Sequence, residues 1–449
     1  MDTSNLSRRN ILRGGALAAS SLLILPSWAA GKGASPNSKV NLALIGVGGR
    51  GNAPVNALRH ENYVAFCDVD DERAAKTYKT YPKVPRFKDY RVMFDKMGKE
   101  IDGVVITTPD HMHYPIALWA LANGKHVYCE KPLTRCIWEA RELKRIAKEA
   151  GVITQMGNQG HTYNGVRDFQ EWHKAGLFGE IKRVYQWTNR PVWPQGVLER
   201  KNNKKVPSTL DYKLWLGVAP KKAYDEDILP FNWRGWLDYG AGAVGDMGCH
   251  IMDAAYTGLG LSYPEWVETK FASEYTDETF PKQTRIDYHY AAKDSKPAVH
   301  VTWQDGKLLP DEEIPNLPDD FYKKMKASNG TLFVGTKGTA YTDTYARSVR
   351  IFPRETYVQV RKNAPPQTLR RIKGGPHIEF ANAIREGREA SSNFDYGAPF
   401  TEVALLGLAS IRAKKRLYYD PVNMAFKNAP ECNQLLRSNY EYNKEFLPG

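Results

Sequence analysis

Short apolar runs alternate with helix-like stretches over the first part of the chain. Five runs have the length of buried strands: Val40–Ile45, Tyr63–Cys67, Gly103–Thr107, His126–Cys129 and Val152–Met156. Between them, Pro115–Asn123 and Trp138–Ala150 are predicted as helices. Strands that alternate with helices indicate an α/β fold with a parallel, doubly wound sheet, which we assign to residues 39–160.

The pattern changes after residue 160, where strand-like runs follow one another with few helices between them. Six such runs are predicted as strands: Ile181–Asn189, Glu265–Ser273, Arg285–Ala291, Ala298–Trp303, Gly330–Gly335 and Val349–Phe352. Two later segments, His377–Glu386 and Phe400–Arg416, are predicted as helices. Residues 161–449 are therefore expected to form an α+β domain with a large, mostly antiparallel open sheet. Because such an open face often packs against a copy of itself, we expect a homo-oligomer.

The first 29 residues have the pattern of an export signal. Arg8 and Arg9 precede the apolar run Gly14–Pro26, and Ser27-Trp28-Ala29 resembles a small-x-small cleavage site. The run is shorter than the roughly 20 apolar residues that a membrane span needs, and no later stretch is long enough either. We predict export of the folded protein to the periplasm by the twin-arginine (Tat) machinery, with residues 30–38 as a linker.

Charge and cysteine content narrow the classes of partner. The net charge is +13, but Lys and Arg are scattered without a basic stripe, so nucleic-acid binding is not expected. A mildly basic cleft for an anionic sugar and a well-solvated surface both fit this charge. The five cysteines are odd in number and lack C-x-x-C spacing, so no disulfide framework is expected: Cys67, Cys129, Cys136, Cys249 and Cys432.

The first strand ends in a G-x-G-x-x-G motif that opens a helix. Glycines at these positions allow a tight turn, close approach of a pyrophosphate and close helix packing. Asp68 ends the second strand, where a carboxylate accepts hydrogen bonds from ribose hydroxyls and repels a 2′-phosphate. NAD is therefore predicted, with NADP as the less favoured alternative because an arginine in the motif is suited to a phosphate. The motif residues expected to bind the cofactor are Gly46, Gly48, Gly49, Arg50 and Gly51.

Two further motifs follow strands and should lie at the same carboxyl edge of the sheet. The first, Thr107–His113, contains an H-x-H pair without a nearby third ligand, so no metal is predicted. The second is Glu130-Lys131-Pro132, whose lysine can hydrogen-bond a substrate hydroxyl and stabilise developing charge. A surface lysine before a helix-initiating proline is the alternative.

A third motif, Gly245–Asp253, lies in the second domain. Asp246 and His250 are four residues apart and share one face of a helix. A histidine beside a carboxylate is suited to act as a general base, whereas a capping aspartate with a buried structural histidine is the alternative.

The order of GxGxxG, TPxHxH, EKP and GDxGxHxxD resembles the Gfo/Idh/MocA oxidoreductases over about residues 39–420. The resemblance implies NAD(P)-dependent oxidation or reduction of a hydroxyl or keto group of a sugar, with Lys131, Asp246 and His250 as catalytic residues. It also implies cofactor contacts at Thr108, Pro109, His113, Glu130 and Lys131. The segments Gln155–His161, Asn189–Pro194 and Trp233–Trp236 are similar to an exported subgroup of the family.

Arginine and tryptophan side chains of the second part supply the remaining candidates for sugar binding. Aromatic faces stack on sugar rings, and guanidinium groups bind carboxylates or sulfates. Packing within the core or internal salt bridges are the alternative for each residue. The sugar is expected to contact Lys131, Asp246 and His250 and, in addition, Asn158, Arg167, Arg190, Trp193, Trp233 and Arg234.

Two other functions stay open at this point. A related branch of the family cleaves glycosides in a transient oxidation and elimination cycle with bound NAD, but that branch carries a different sequence at the position of Glu130–Pro132. The second alternative is a non-catalytic protein that binds a sugar or a cofactor. An exported enzyme should hold its cofactor tightly, because free NAD is scarce outside the inner membrane.

Overall fold

The computed structural model describes residues 38–201, 204–294, 296–315 and 317–449. The predicted export signal and all but the last residue of the predicted linker lie outside these residues.

Six strands of the first part form a parallel sheet in the order β3-β2-β1-β4-β5-β6. The strands are β1 (Asn41–Ile45), β2 (Asn62–Cys67), β3 (Arg86–Phe87), β4 (Gly103–Ile106), β5 (His126–Cys129) and β6 (Thr154–Met156). The helices between them are α1 (Asn52–Ala57), α2 (Asp71–Thr80), α3 (Tyr90–Met97), α4 (His113–Ala122) and α5 (Ile137–Ala150). This strand order is that of the Rossmann fold, so the predicted α/β class is confirmed.

The second part is built on a separate nine-stranded sheet. Its strands are β7 (Ile181–Trp187), β8 (Trp266–Ala272), β9 (Thr284–Tyr290), β10 (Val299–Gln304), β11 (Gly330–Gly335), β12 (Thr339–Asp343), β13 (Val349–Phe352), β14 (Leu417–Asp420) and β15 (Ala425–Phe426). Its helices are α6 (Asn164–Lys174), α7 (Tyr212–Leu216), α8 (Gly242–Ile251), α9 (Asp253–Gly258), α10 (Asp319–Met325), α11 (Arg354–Lys362), α12 (Gly375–Glu386) and α13 (Phe394–Ala413).

The strand order of this sheet is β13-β12-β11-β7-β10-β9-β8-β14-β15. Only the β7–β10 pair is parallel among its described pairs, so the predicted mostly antiparallel sheet is confirmed. Strand β12 was not predicted, because Thr339–Asp343 is short and its polar residues hide the alternating pattern.

The two parts share core residues. Helix α12 packs on the parallel sheet, where a Cβ on Gly103 would lie 3.3 Å from both Phe380 and Ile384. Helix α13 packs on α5 and α8, and so joins the two parts. Residues beyond the predicted boundary at residue 160 thus contribute to the core of the first part.

One face of the nine-stranded sheet carries polar and aromatic residues. Arg416 stacks on Trp266 at 3.9 Å from the ring centre, and His289 stacks on the same ring. Ile314 and Met325 cover another section of this sheet by packing with Tyr185, Trp187 and Leu332. Homo-oligomerisation through the open section remains a prediction. None of the helices in the described ranges is long and apolar enough to cross a membrane.

Candidate active site

The glycine motif forms a tightly closed loop between β1 and α1. Gly46 has a φ of +80°, and a Cβ there would lie 2.4 Å from the Thr107 carbonyl oxygen. A Cβ on Gly51 would lie 1.9 Å from the Gly46 carbonyl oxygen, and one on Gly48 would lie 2.6 Å from that of Arg73. Side chains are therefore excluded here, as expected where a pyrophosphate approaches the backbone.

A cleft with an empty volume of about 440 Å³ opens beside this loop, at the carboxyl ends of β1, β2 and β4. Gly46, Asp68, Thr108 and Pro109 line it, together with the apolar side chain of Trp215. The Thr108 hydroxyl is buried without a hydrogen-bond partner among the described residues. A largely apolar cleft with a carboxylate and an unpaired hydroxyl fits the adenosine half of a dinucleotide.

Asp68 also supports the loop itself. Its carboxylate accepts hydrogen bonds from the backbone amides of Val47 (2.9 Å) and Gly48 (3.1 Å). Burial raises the pKa of this carboxyl above its ordinary value, and these amide bonds only partly offset the effect.

Arg50, predicted as a phosphate ligand, contacts two side chains of the protein. Its guanidinium donates to Glu130 Oε1 and Gln159 Oε1, both at 3.1 Å. Burial would raise the pKa of Glu130, but the neighbouring His377 and Arg50 outweigh it and hold the pKa well below the ordinary value. Arg50 thus ties the glycine loop to the Glu130–Lys131 segment.

His113 connects two loops instead of facing the cofactor cleft. Its Nδ1 lies 2.8 Å from the Pro132 carbonyl oxygen and its Nε2 lies 3.0 Å from that of Thr108. His111 is buried between Trp215 and Tyr239. No group of three or more potential metal ligands occurs within the described ranges.

Lys131 and Asp246 meet between the two parts of the molecule. Lys131 Nζ lies 2.6 Å from Asp246 Oδ1 and 2.9 Å from the Asp246 carbonyl oxygen. Arg234 Nε lies 3.3 Å from the same Oδ1, and the Arg234 guanidinium also donates to both oxygens of Asp110 at 3.0 and 3.2 Å. Burial would raise the pKa of Asp246, but Lys131 and Arg234 hold it well below the ordinary value.

His250 lies one helical turn after Asp246 on α8 and is buried. Burial, together with the charge of Lys131, lowers its pKa to about 3, so the imidazole is neutral at physiological pH. Its Nδ1 has no hydrogen-bond partner in the described part of the chain, and its ring meets the edge of Tyr345 at 4.9 Å. The expected contact between Asp246 and His250 is replaced, because Lys131 and Arg234 contact the carboxylate.

The structure contains a buried histidine–carboxylate pair that the sequence did not reveal. His161 Nδ1 lies 3.0 and 3.1 Å from the two oxygens of Asp253, which is buried and also accepts from the Tyr396 hydroxyl. Asp253 follows His250 by three residues, but its partner lies 92 positions earlier in the chain. Only the presence of His161 and Asp253 in two predicted motif segments pointed to them.

Of the predicted sugar ligands, Arg234 is linked to Lys131 through Asp246, and Trp193 and Trp233 lie beside Arg234. Arg234 stacks on Trp233 at 4.3 Å and lies 5.7 Å from the ring centre of Trp193. Asn158 accepts from the Ser392 hydroxyl at 2.6 Å, and its Nδ2 is buried without a partner among the described residues.

The other two predicted sugar ligands have structural contacts. Arg167 donates to the carbonyl oxygens of His161, Tyr163 and Arg370, so its guanidinium holds a loop. Arg190 donates to Asn189 Oδ1 after β7, and its contacts within the described residues include none of Lys131, Asp246 and His250. All five cysteines lie within the described ranges as buried free thiols.

The fold and the glycine loop define a two-domain protein of the dinucleotide-binding class. A family model described as an oxidoreductase family with an NAD-binding Rossmann fold matches residues 40–158. A second, described as the C-terminal alpha/beta domain of the oxidoreductase family, matches residues 180–297. The chain belongs to the Gfo/Idh/MocA oxidoreductase family, as the motif order indicated.

Curated relatives share about half of their length or less with this chain. The 2,7-anhydro-N-acetylneuraminate hydratase of Escherichia coli (strain K12) is 27% identical over 168 residues, which cover 37% of this chain and 44% of the relative. A glycosyl hydrolase family 109 protein of Solibacter usitatus is 30% identical over 165 residues, 34% of this chain and 37% of the relative.

Solved structures show the same fold at low identity. Levoglucosan dehydrogenase in complex with NADH and L-sorbose has a TM-score of 0.57 at 18% identity, covering 85% of this chain and 98% of that one. The WlbA dehydrogenase of Bordetella pertussis in complex with NADH and UDP-GlcNAcA has a TM-score of 0.58 at 16% identity. The match covers 85% of this chain and 99% of that one.

Proposed function

We propose that this protein is an NAD-dependent oxidoreductase that acts on a hydroxyl or keto group of a sugar. The observation that carries the proposal is the contact between Lys131 Nζ and the Asp246 carboxylate at 2.6 Å, one helical turn from a neutral, buried His250. An ammonium group and a neutral imidazole at one cleft can bind and deprotonate a single hydroxyl group.

Each residue then has a definite role. Neutral His250 accepts the proton of the reacting hydroxyl group, and Lys131 donates a hydrogen bond to the same oxygen. Asp246 holds the Lys131 ammonium in place through the 2.6 Å contact. When bound, NAD supplies the hydride acceptor. In reduction of a ketone, His250 would have to supply a proton, which its low pKa disfavours because the ring is unprotonated at neutral pH.

The site around Lys131 favours a neutral sugar over an anionic one. Arg234, which shares Asp246 Oδ1 with Lys131, is already paired with Asp110 and Asp246, so its charge is balanced within the protein. Trp193 and Trp233 are buried beside Arg234 and support it from within the core. Levoglucosan, named for one structural neighbour, belongs to this substrate class.

The test uses His250→Asn with His289→Asn as the control, since His289 lies on the polar face of the nine-stranded sheet. We expect NAD to bind both variants equally and kcat for a responsive sugar to fall about a thousand-fold in His250→Asn alone. Equal activity of both variants would overturn the assignment. Equal activity would instead favour the alternative that the protein binds a sugar or a cofactor without catalysing a reaction.

Cofactor choice has its own test. The Asp68 carboxylate in the cleft disfavours a 2′-phosphate, so NAD should bind more tightly than NADP. The ratio of the two dissociation constants should approach one in Asp68→Asn. If NADP binds the unaltered protein more tightly, the assignment is wrong.

A second candidate function is glycoside cleavage with bound cofactor, favoured by the glycosyl hydrolase family 109 relative. In that cycle a ketone next to the glycosidic carbon acidifies a C–H bond, and the aglycone leaves by elimination. Incubation with aryl glycosides and no added cofactor separates the two functions. Many aglycones per protein molecule favour cleavage, whereas one turnover that leaves NADH bound favours the dehydrogenase.

Export and tight cofactor binding complete the proposal. Arg8 and Arg9 precede the apolar segment in the order of a twin-arginine signal. We expect the double variant Arg8→Lys, Arg9→Lys to remain inside the cell, while the unaltered protein reaches the periplasm with NAD bound. Periplasmic protein that purifies without NAD would contradict tight binding, and unchanged export of the double variant would contradict the route.

A further inference from the structure

A second cavity lies apart from the cofactor cleft, between the start of α5, the later half of α13 and the C-terminal residues. Its empty volume is about 990 Å³. Its wall combines apolar side chains such as Leu405 and Leu408 with three arginines, Arg135, Arg412 and Arg437. No aspartate or glutamate is among the residues that line it in the described ranges.

Two of these arginines have only neutral hydrogen-bond acceptors among the described residues. Arg135 donates to the Leu237 carbonyl oxygen, to Asn439 Oδ1 and to the Ser438 hydroxyl. Arg412 donates to the carbonyl oxygens of Thr276 and Thr279. Neither makes an ion pair within the described ranges.

Both arginines also keep one unsatisfied donor. The Nε–H groups of Arg135 and Arg412 are buried and have no partner among the described residues, and Arg135 is only 6% exposed. Burial lowers the pKa of Arg412, as expected for a cation removed from water without a carboxylate beside it. A buried cation is costly unless an opposite charge compensates it.

Burial alone would lower the pKa of Arg135, but Tyr440 and the Glu139 carboxylate raise it above its ordinary value, although Glu139 makes no hydrogen bond to the guanidinium. Glu139 Oε2 accepts from the backbone amides of Arg135 and Cys136, and its Oε1 accepts from the Tyr442 hydroxyl. Its oxygens are thus committed to the first turn of α5 and to the C-terminal segment.

We propose that this cavity binds a small organic oxyanion, a carboxylate, sulfate or phosphate group attached to an apolar body. The guanidinium groups of Arg135 and Arg412 bind the oxyanion, Arg437 at the exposed rim attracts it, and the leucine side chains contact the apolar body. This cavity and the cofactor cleft share no lining residue within the described ranges.

Calorimetric titration at constant ionic strength tests the proposal with benzoate, phenyl sulfate and phenyl phosphate, and with benzyl alcohol as the neutral match. We expect at least one of the three anions to bind and benzyl alcohol not to bind. In Arg412→Gln and Arg437→Gln the affinity should fall about ten-fold, the effect of losing one charge-assisted hydrogen bond. The control variant Arg59→Gln, which replaces an exposed arginine just after α1, should leave the affinity unchanged.

NAD titration on each variant shows that the fold is intact, and Arg437 is exposed enough to be replaced without loss of packing. The anion that binds most tightly shows whether the cavity prefers a carboxylate, a sulfate or a phosphate group. Absence of binding by all three anions overturns the proposal, as does binding that Arg412→Gln and Arg437→Gln leave unchanged.

Discussion

The site around Lys131 and the second cavity both contain buried cations, but they balance the charges in different ways. In the site around Lys131, Lys131 and Arg234 lie within 3.3 Å of carboxylate oxygens of Asp246 or Asp110. In the cavity, Arg135 and Arg412 donate only to neutral acceptors among the described residues. Lys131 and Arg234 are therefore paired with carboxylates before any ligand arrives, whereas Arg135 and Arg412 are held by neutral acceptors and by stacking on Tyr440 and Tyr275.

This difference separates two uses of positive charge. A lysine that must donate to a reacting oxygen benefits from a fixed position, which a paired carboxylate supplies. An anion site requires charge that the protein itself has not neutralised. The proposed anion site therefore uses the arginines of the cavity, and the proposed neutral sugar uses the paired charges around Lys131.

The largest effect is expected for Asp246→Asn, which leaves Lys131 and Arg234 with one carboxylate fewer. The site around Lys131 would then resemble the cavity, in which the arginines lack a carboxylate partner. Sugar oxidation should fall about a thousand-fold, because Lys131 loses its fixed position beside His250. Sulfate should become an inhibitor that competes with the sugar. Steady-state rates with and without sulfate measure both effects.

The matched control is Asp395→Asn, which removes the carboxylate of an exposed lysine pair, Lys144–Asp395 at 3.5 Å. It should change neither rate nor sulfate sensitivity. If Asp246→Asn stays active and insensitive to sulfate, the pairing with Lys131 has no role in the reaction.

Asp110→Asn should have the next largest effect, on stability. The Asp110 side chain is 1% exposed and accepts two bonds from Arg234 and one from Ala241 N. Removal of one member of a buried pair costs about 3–5 kcal/mol, whereas Glu142→Gln in the exposed pair with Arg145 should cost at most about 1 kcal/mol. Urea unfolding of both variants measures the difference, and equal losses would mean that burial of Asp110 is unimportant.

Much of the cofactor cleft and of the site around Lys131 was predictable, because the residues of both follow strands. Gly46, Asp68, Thr108 and Lys131 come directly after or near the carboxyl ends of predicted strands, which a parallel sheet brings to one edge. The family resemblance then identified the helix that bears Asp246 and His250. Local patterns of this kind specify both the element and its position in the fold.

The partners of those residues were not predictable from local patterns. Asp110 pairs with an arginine 124 residues away, and Asp253 pairs with a histidine 92 residues away. Arg167 lies near predicted site residues in sequence, yet it donates to backbone carbonyls. The cavity arginines come from α13, the start of α5 and the C-terminal segment, so only the packed chain brings them together.

The pH dependence of stability provides a further effect that is specific to His250. Burial and Lys131 lower the pKa of His250 to about 3, whereas an unfolded chain takes up this proton near pH 6.5. Stability from His250 is therefore complete above about pH 6.5 and is lost as pH falls towards about 3, by up to about 1.4 kcal/mol per pH unit. The free energy of unfolding of His250→Asn should fall less steeply in this range, and parallel curves would show that the imidazole is not held neutral.

The smallest effect is expected where a carboxylate is added to the cavity. Ser438 Oγ accepts from Arg135 Nη2 at 2.8 Å, so Ser438→Asp places a negative charge beside an arginine that has none. Arg135 would then be paired with a carboxylate, as Lys131 and Arg234 are. Anion binding should weaken at least as much as in Arg412→Gln, and the free energy of unfolding should rise by about 0.5–1 kcal/mol.

The control variant Ser438→Asn, which adds the same bulk without charge, should change neither anion binding nor the free energy of unfolding in this way. Equal anion binding by the two variants would mean that the missing counter-charge at Arg135 does not determine what the cavity binds.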